Sequence, residues 1–85
     1  MPLHPRLIRV RIEDIRFGPN PTAGMNALKL MHYAYQLRAG TEEPIDGPPQ
    51  VTAERDGTWR IHDGRHRAIA HIIAGRPDIL CQTLD

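Results

Sequence analysis

Five consecutive residues, Asp63-Gly64-Arg65-His66-Arg67, carry the side chains of this sequence that are best suited to chemistry. They follow a strand-like segment and precede an alanine- and isoleucine-rich segment, which predicts a strand, a tight turn and a helix. The N–H groups at a helix start are unpaired and carry about half a positive charge, so they attract anions. Gly64 lets a ligand approach the backbone, and guanidinium groups match phosphate oxygens. The run therefore predicts a phosphate-binding turn.

Asp63 and His66 have separate expected roles in this turn. Asp63 is expected to cap the helix, because its carboxylate can accept hydrogen bonds from first-turn N–H groups. His66 can donate a hydrogen bond or act as an acid or base near neutral pH, which makes it a catalytic candidate. The alternative is a capped helix with solvated arginines. Three potential cations at a helix start oppose the helix dipole, and this unfavourable choice favours a functional site.

Other site chemistries find less support in the residue types. His62, Asp63 and His66 could offer nitrogen and oxygen ligands to a metal, but the neighbouring arginines would repel a cation. The spacing also matches no zinc pattern, so no metal site is predicted. The chain has no serine, which excludes a serine nucleophile. Its one cysteine, Cys81, is expected to be a small buried residue of the last strand.

The order of the predicted elements indicates an α+β fold, a small mixed β-sheet with two main helices covering one face. In chain order the elements are a strand at 6–12, a turn-rich segment at 13–24, a helix at 25–39, a loop at 41–49, a hairpin of strands at 50–54 and 58–62, a helix at 66–74 and a strand at 78–84. Asp56-Gly57 is the hairpin signal. Ile69, Ile72 and Ile73 recur at i, i+3 and i+4, as on the core-facing side of an amphipathic helix.

Composition limits the classes of partner and location. The net charge is only +1, so charge alone does not indicate nucleic acid or a membrane. No apolar run is long enough for a signal peptide or a membrane span. A single cysteine fits a reducing compartment. We therefore expect a cytoplasmic protein with no membrane contact.

Residues 48–84, PPQVTAERDGTWRIHDGRHRAIAHIIAGRPDILCQTL, resemble the ParB N-terminal/sulfiredoxin superfamily. The family pattern is a strand after a proline, a short hairpin, a Gly-x-His-Arg-like turn, an alanine-rich helix that ends in glycine, and a final strand. Residues 25–40 resemble the helix that precedes this pattern, so the likeness covers nearly the whole chain. Its most specific part is the run at 63–67, and its context is correct on both sides.

The resemblance implies nucleotide binding, because in this superfamily the turn and the following helix start hold the phosphates of ATP or CTP. The preceding helix supplies further polar contacts, and the matching side chains here lie on one stripe beside a core stripe of Leu30, Tyr33, Ala34 and Leu37. The implied nucleotide-binding residues are Asp63, Gly64, Arg65, His66, Arg67, Lys29, His32 and Gln36. A solvated helix face is the alternative for the last three. The resemblance leaves open whether Mg²⁺ accompanies the phosphates.

This chain departs from both named branches of the superfamily. Sulfiredoxins place a catalytic cysteine just before the His-Arg pair, where this chain has Arg65, so peroxiredoxin repair is not expected. Full ParB proteins continue into a helix-turn-helix DNA-binding region and a dimerisation domain. We expect residues 1–85 to form a single ParB/sulfiredoxin-like domain with no separate DNA-binding domain.

Three functions stay open at this point. The first is a nucleotide-binding domain, with or without slow hydrolysis, in a plasmid, phage or chromosome-segregation setting. The second is a ParB-like nuclease or another DNA-associated protein, which the four aromatic residues and the small net charge disfavour. The third is a module that kept the fold, lost the ligand and binds a larger protein. Whether the chain is an enzyme stays open. On the first hypothesis, Arg67→Ala or a bulky residue at Gly64 should abolish binding and leave the fold largely intact.

Overall fold

A computed structural model describes residues 5–43 and 45–84 of the chain and confirms the predicted α+β fold. The elements are β1 (Pro5–Arg11), a short 3-10 helix (Ile12–Asp14), β2 (Ile15–Arg16), α1 (Ala27–Arg38), β3 (Gln50–Ala53), β4 (Trp59–Asp63), α2 (Arg65–Ile73) and β5 (Asp78–Leu84). The two-residue strand β2 was not predicted, because it is too short to show alternation. Neither described helix is long and apolar enough to cross a membrane.

The five strands form one mixed sheet in the order β1-β5-β3-β4-β2. β1 pairs antiparallel with β5, and β3 pairs antiparallel with β4 across the predicted hairpin. β3 and β5 are parallel neighbours, and so are β2 and β4. Parallel strands need a crossover connection, and α2 lies in the segment that leads from β4 to β5. The turn at 63–64 therefore stands where β4 leaves the sheet and α2 begins.

One hydrophobic cluster lies between the sheet and α2. Its buried members are Val10, Ile15, Val51, Ile61, Ala68, Ile79 and Cys81. Ala68 is fully buried, and its small side chain lets α2 approach the sheet closely. The expectation for Cys81 is confirmed, since it is a fully buried strand residue. Burial raises the pKa of its thiol to about 11, so it is not a thiolate at neutral pH.

A second cluster packs α1 against α2. It contains Tyr33, Ala34, Leu37, Ile45 and Ala70, with Leu30 partly buried beside them. The core stripe predicted for the first helix is thus confirmed. α1 begins two residues later than predicted, because the Asn26 side chain accepts hydrogen bonds from the backbone N–H groups of Leu28 and Lys29 and caps the helix.

The sequence predicted that the isoleucine side of the second helix faces the core, and this prediction is wrong. The buried residues of α2 are Ala68, Ala70 and His71. Ile72 and Ile73 are instead 46% and 44% exposed. α2 packs against both the sheet and α1, and its small residues allow that close packing, so the isoleucines are left on the outer side.

A hydrogen-bonded pair, His71 and Glu43, fastens the loop after α1 to α2. The Nδ1 atom of His71 bonds to the carbonyl of Arg67 at 2.7 Å, and its Nε2 bonds to Glu43 at 2.5 Å. The other carboxylate oxygen of Glu43 accepts a hydrogen bond from Arg9 at 3.0 Å. Burial alone would raise the pKa of Glu43, but the bonds from His71 and Arg9 outweigh burial and lower it. This pair joins residues 28 positions apart, and the sequence analysis missed it.

Candidate anion-binding site

The turn between β4 and α2 has room only for glycine at its centre. Gly64 has φ 97° and ψ 25°, in the left-handed region that disfavours residues with a Cβ. A Cβ added there would lie 2.7 Å from the Cβ and 2.8 Å from the Cα of Pro49. A larger residue at Gly64 would therefore disturb the turn itself, and the expectation that such a change leaves the fold largely intact is wrong.

The start of α2 lacks the side-chain cap that was expected from Asp63. Gly64 is the N-cap residue and has no side chain to offer, while Asp63 is the last residue of β4. The Asp63 carboxylate instead lies 3.7 Å from the guanidinium group of Arg67. The first backbone bond into the helix runs from the N–H of Ala68 to the carbonyl of Gly64. Within residues 5–43 and 45–84, the backbone N–H groups of residues 65–67 have no hydrogen-bond acceptor.

Arg65 joins the start of α2 to the loop that precedes α1. Its guanidinium group donates hydrogen bonds to the carbonyls of Pro21 and Ala23 at 3.3 and 3.0 Å, with a longer one to Asn20 at 3.4 Å. These bonds use its two terminal nitrogens, and a guanidinium group has five N–H donors. Arg65 therefore positions this loop and still has donor capacity towards solvent.

Arg67 joins the same helix start to the loop that follows α1. Its Nη1 donates to the carbonyl of Asp46 at 2.8 Å and also to the carbonyl of Gly47. The Asp46 carboxylate in turn accepts a hydrogen bond from the Tyr33 hydroxyl at 2.9 Å. The Arg67 side chain is only 13% exposed. A cavity of about 10 Å³ lies against it, which is too small for a phosphate group. A phosphate group therefore does not fit between Arg67 and the loop that follows α1.

His66 joins the starts of the two helices and is neutral there. Its Nε2 accepts a hydrogen bond from the backbone N–H of Asn26 at 2.9 Å. Burial lowers the pKa of His66, and the positive charges of Lys29, Arg65 and Arg67 lower it further. The helix start thus carries two cations, not the three considered from the sequence. The lone pair of Nε2 is already engaged, so this atom does not serve as a base in this arrangement.

The three candidates on α1 differ in how they relate to the turn. Lys29 is exposed and close enough to His66 to lower its pKa. Its ammonium group also lies 5.9 Å from the centre of the Tyr33 ring. His32 is exposed, and the side-chain oxygen of Gln36 is buried without a hydrogen-bond partner. Among the described residues, no hydrogen bond or ion pair links His32 or Gln36 to the turn.

The residues weighed as metal ligands do not form a cluster. His62 Nε2 lies 2.7 Å from the Thr52 hydroxyl on the neighbouring strand. His66 Nε2 is taken by a backbone N–H, and Asp63 faces Arg67. In the described part of the chain, no group of three or more His, Cys, Asp or Glu residues could hold a metal ion.

Two solved structures are similar to this chain over most of its length. Sulfiredoxin from Arabidopsis thaliana is 27% identical with a TM-score of 0.73, over 92% of this chain and 83% of the sulfiredoxin chain. The C-terminally truncated chromosome-partitioning protein ParB from Caulobacter crescentus, complexed with CTP-γ-S, is 20% identical with a TM-score of 0.71. That match covers 92% of this chain but 43% of the ParB chain, so this chain spans less than half of it.

The chain has a ParB/sulfiredoxin-like fold. The family resemblance read from the turn at 63–67 is confirmed at the level of the fold. No protein-family profile matches the sequence, and no curated protein matches it either.

The close approach of Gly64 to Pro49 predicts that Gly64→Ala is destabilising. We expect a loss of at least about 2 kcal/mol, because the left-handed conformation alone costs roughly 1–2 kcal/mol and the contact with Pro49 adds to it. Gly57→Ala is the matched control, since Gly57 has φ 87° with nothing within 4 Å of the added Cβ. Urea unfolding of both variants measures the difference. Equal losses would show that Pro49 does not confine the turn.

The bond from Asn26 to His66 predicts a pH dependence of stability. Because the pKa of His66 is lower in the folded chain, the unfolded chain takes up this proton first as the pH falls below about 6.5. Stability from this residue is therefore present above that pH and is lost on acidification towards the folded pKa. His66→Gln keeps an acceptor without titrating, so its unfolding free energy should fall less between pH 7.5 and 5.5.

Histidine ring signals in NMR provide the direct check of the same point. A titration midpoint for His66 below the value for a free histidine is expected. A midpoint at or above that value, or an unchanged pH dependence in His66→Gln, would contradict a neutral acceptor at this position.

Proposed function

We propose that this chain binds the phosphates of a nucleoside triphosphate, ATP or CTP, on the outer side of the turn at 63–67. The observation that carries the proposal is the first turn of α2, where the N–H groups of residues 65–67 lack an acceptor among the described residues and lie near Arg65, Arg67 and Lys29. Backbone N–H groups at a helix start favour an anion, and nearby cations strengthen that preference. Phosphate oxygens supply the acceptors that these groups lack.

The loops around the turn support a preorganised site. Arg65 holds the carbonyls of residues 20–23, and Arg67 holds those of Asp46 and Gly47, so the segments on both sides of the turn are fixed without a ligand. A site that is already ordered loses less conformational entropy when the ligand arrives. On this proposal the two arginines fix the positions of the neighbouring loops and attract the phosphates by their positive charge. Arg65 can also donate its remaining N–H groups to the phosphates.

Asp63 has a different role from the one expected for it. A carboxylate repels a phosphate, so Asp63 is not a direct ligand of the anion. Its negative charge is offset by Arg67 at 3.7 Å, and we assign it the orientation of that guanidinium group. A binding assay with and without Mg²⁺ decides whether the metal accompanies the phosphates.

The ParB structure supports the choice of a nucleotide, because a ParB chain that contains this fold was crystallised in complex with a nucleoside triphosphate analogue, CTP-γ-S. The sequence likeness in the turn at 63–67 supports the same location. We do not extend the proposal to hydrolysis, because His66 Nε2 is engaged by a backbone N–H and therefore cannot take a proton from water in this arrangement. Contact with DNA and nuclease activity stay predictions from the resemblance alone.

A thermal-shift panel tests the proposal with ATP, ADP, CTP, GTP and inorganic phosphate, each with and without Mg²⁺. At a nucleotide concentration of 100 times Kd, the free energy of unfolding should rise by about 2.7 kcal/mol. Triphosphates should stabilise more than inorganic phosphate, and the nucleotide with the largest shift identifies the base. No shift with any of these ligands would overturn the proposal.

Two charge reversals locate the binding site within the chain. Lys29→Glu changes an exposed residue near the turn and should lower nucleotide affinity severalfold, because it brings a negative charge towards the phosphates. Arg55→Glu makes the same charge change in the exposed β3–β4 turn and should leave affinity close to that of the wild type. Equal effects of the two reversals would mean that only overall charge matters, which would contradict a site at this turn.

A further inference from the structure

His71 is a titratable side chain that α2 buries in the interior of the domain. Its side chain is 4% exposed, and that of its partner Glu43 is 13% exposed. Nδ1 of His71 lies 2.7 Å from the carbonyl oxygen of Arg67, and Nε2 lies 2.5 Å from Oε1 of Glu43. A carbonyl oxygen only accepts hydrogen bonds, so Nδ1 must carry a proton. Whether Nε2 also carries one decides the charge of the ring.

Glu43 is a carboxylate in this cluster. Burial raises its pKa, but the bonds from His71 and Arg9 outweigh burial, and the pKa is lower than usual. Arg9 itself is held between the carboxylates of Glu43 and Asp78, at 3.0 and 2.7 Å. An ionised carboxylate has acceptors only, so its contact with Nε2 requires a second proton on His71. With an N–H group on each nitrogen, His71 is an imidazolium ion.

Charged and titratable groups from the surrounding elements face this pair. They are Arg9 from β1, Asp78 and Cys81 from β5, Tyr33 from α1, Arg67 from α2 and Asp46 from the loop that follows α1. Burial raises the pKa of the Cys81 thiol to about 11 and also raises that of the Tyr33 hydroxyl, so both stay neutral well above pH 7. Histidine is the side chain that ordinarily changes charge near neutral pH. The second proton of His71 is therefore the one that this cluster loses as the pH rises.

Loss of that proton weakens the pair in either of two ways. A neutral imidazole ring has one N–H group and cannot satisfy both acceptors. If the proton stays on Nδ1, the lone pair of Nε2 faces the Glu43 carboxylate and repels it. If the proton moves to Nε2, the bond to Glu43 loses the imidazolium charge, and the bond to the Arg67 carbonyl is lost. The attraction between Glu43 and α2 falls in both cases.

Glu43 belongs to the loop between α1 and β3, residues 39–49, which borders the turn at 63–67. The carbonyls of Asp46 and Gly47 accept hydrogen bonds from Arg67, and Pro49 packs against Gly64. The loop is thus bonded to α2 through Glu43 and through the carbonyls at 46 and 47. Arginine does not lose its proton in proteins, so only the bond of Glu43 responds to pH.

We propose that His71 and Glu43 form a pH-dependent latch for this loop. While His71 carries a proton on each ring nitrogen, the latch holds the loop against α2. Loss of one proton loosens the loop and, through Asp46 and Gly47, the surroundings of Arg67. The latch operates without a ligand. That its opening also lowers nucleotide affinity rests on the function proposed above.

The ring nitrogens of His71 provide the first test, in ¹H–¹⁵N NMR spectra of the full chain without nucleotide. At pH 7 the wild type should show protons on both nitrogens. Glu43→Gln puts a neutral amide in place of the carboxylate, and its N–H group can bond an unprotonated Nε2, so one protonated nitrogen is expected there. Glu42→Gln makes the same charge change at the exposed neighbouring residue and should leave His71 as in the wild type.

Amide hydrogen exchange measures the loosening of the loop. It is read by mass spectrometry and corrected for the intrinsic effect of pH on exchange. From pH 6 to 9, opening of residues 39–49 should become about tenfold more frequent in the wild type, because a hydrogen bond to a charged group contributes more than one between neutral groups. Glu42→Gln should follow the wild type, and Glu43→Gln should change less. The hairpin turn at residues 54–58 is the internal reference.

The pH dependence of stability separates the latch from His66. Stability from the latch is present at pH 6 and is lost as the pH rises, whereas stability from His66 is lost on acidification. Urea unfolding between pH 6 and 9 should therefore show a larger loss for the wild type and Glu42→Gln than for Glu43→Gln. Circular dichroism establishes that both variants are folded, and the two wild-type measurements stand without them.

Three results would overturn the proposal. A single protonated nitrogen on His71 in the wild type at pH 7 would mean that there is no imidazolium to lose a proton. Loop exchange that does not rise with pH would mean that this proton does not hold the loop. Equal pH dependence of stability in the wild type and Glu43→Gln would mean that Glu43 is not the partner. Because no nucleotide is present in these measurements, failure of the latch is distinguishable from failure of the nucleotide site.

Discussion

The first turn of α2 is the junction on which the arrangement of the domain depends. Three successive side chains leave it in different directions. Arg65 holds the loop before α1, His66 accepts a hydrogen bond from the N–H of Asn26, the N-cap residue of α1, and Arg67 holds the loop after α1. Gly64 permits this junction because it alone fits the left-handed turn against Pro49. Segments that lie 20 to 45 positions away along the chain are thereby fixed to one helical turn.

This arrangement explains why an arginine-rich run at a helix start is tolerated. The side-chain charges that oppose the helix dipole are directed to backbone carbonyls of the two neighbouring loops, which stabilises those loops. Within the described part of the chain, the backbone N–H groups of the same turn have no acceptor, so the electropositive end of the helix dipole is not neutralised there. The fold and the proposed ligand thus use different atoms of the same residues. Substitutions in this turn should affect stability and binding together, which is why Lys29 is the cleaner probe of binding.

The sequence was informative where a local pattern determines the structure. The turn at 63–67, the Asp56-Gly57 hairpin and the core stripe of α1 all depend on residues within one or two turns of chain. The periodicity of Ile69, Ile72 and Ile73 identified a helix but not which of its sides is buried, because that depends on α1 and the sheet packing against Ala68 and Ala70. The Asn26 cap had a readable signal, an Asn directly before a helical run, that was overlooked.

The partners of Arg65, Arg67 and His71 could not be read from the sequence. Each bonds to a backbone carbonyl or to a carboxylate, and any loop that the topology brought nearby could have supplied such a group. The role of Asp63 was mistaken for a related reason. An aspartate that caps a helix stands one residue closer to the helix than an aspartate that ends the preceding strand. Because Gly64 adopts the left-handed turn and is itself the N-cap residue, Asp63 ends β4 and pairs with Arg67.

The most direct test of the account is a two-dimensional ¹H–¹⁵N NMR titration of the full chain with CTP, ATP and inorganic phosphate. The account predicts that the largest amide shifts occur at residues 64–67, because the unpaired N–H groups of that turn would receive the phosphate oxygens. Shifts spread evenly over the basic surface, or concentrated on another element with residues 64–67 unchanged, would contradict it.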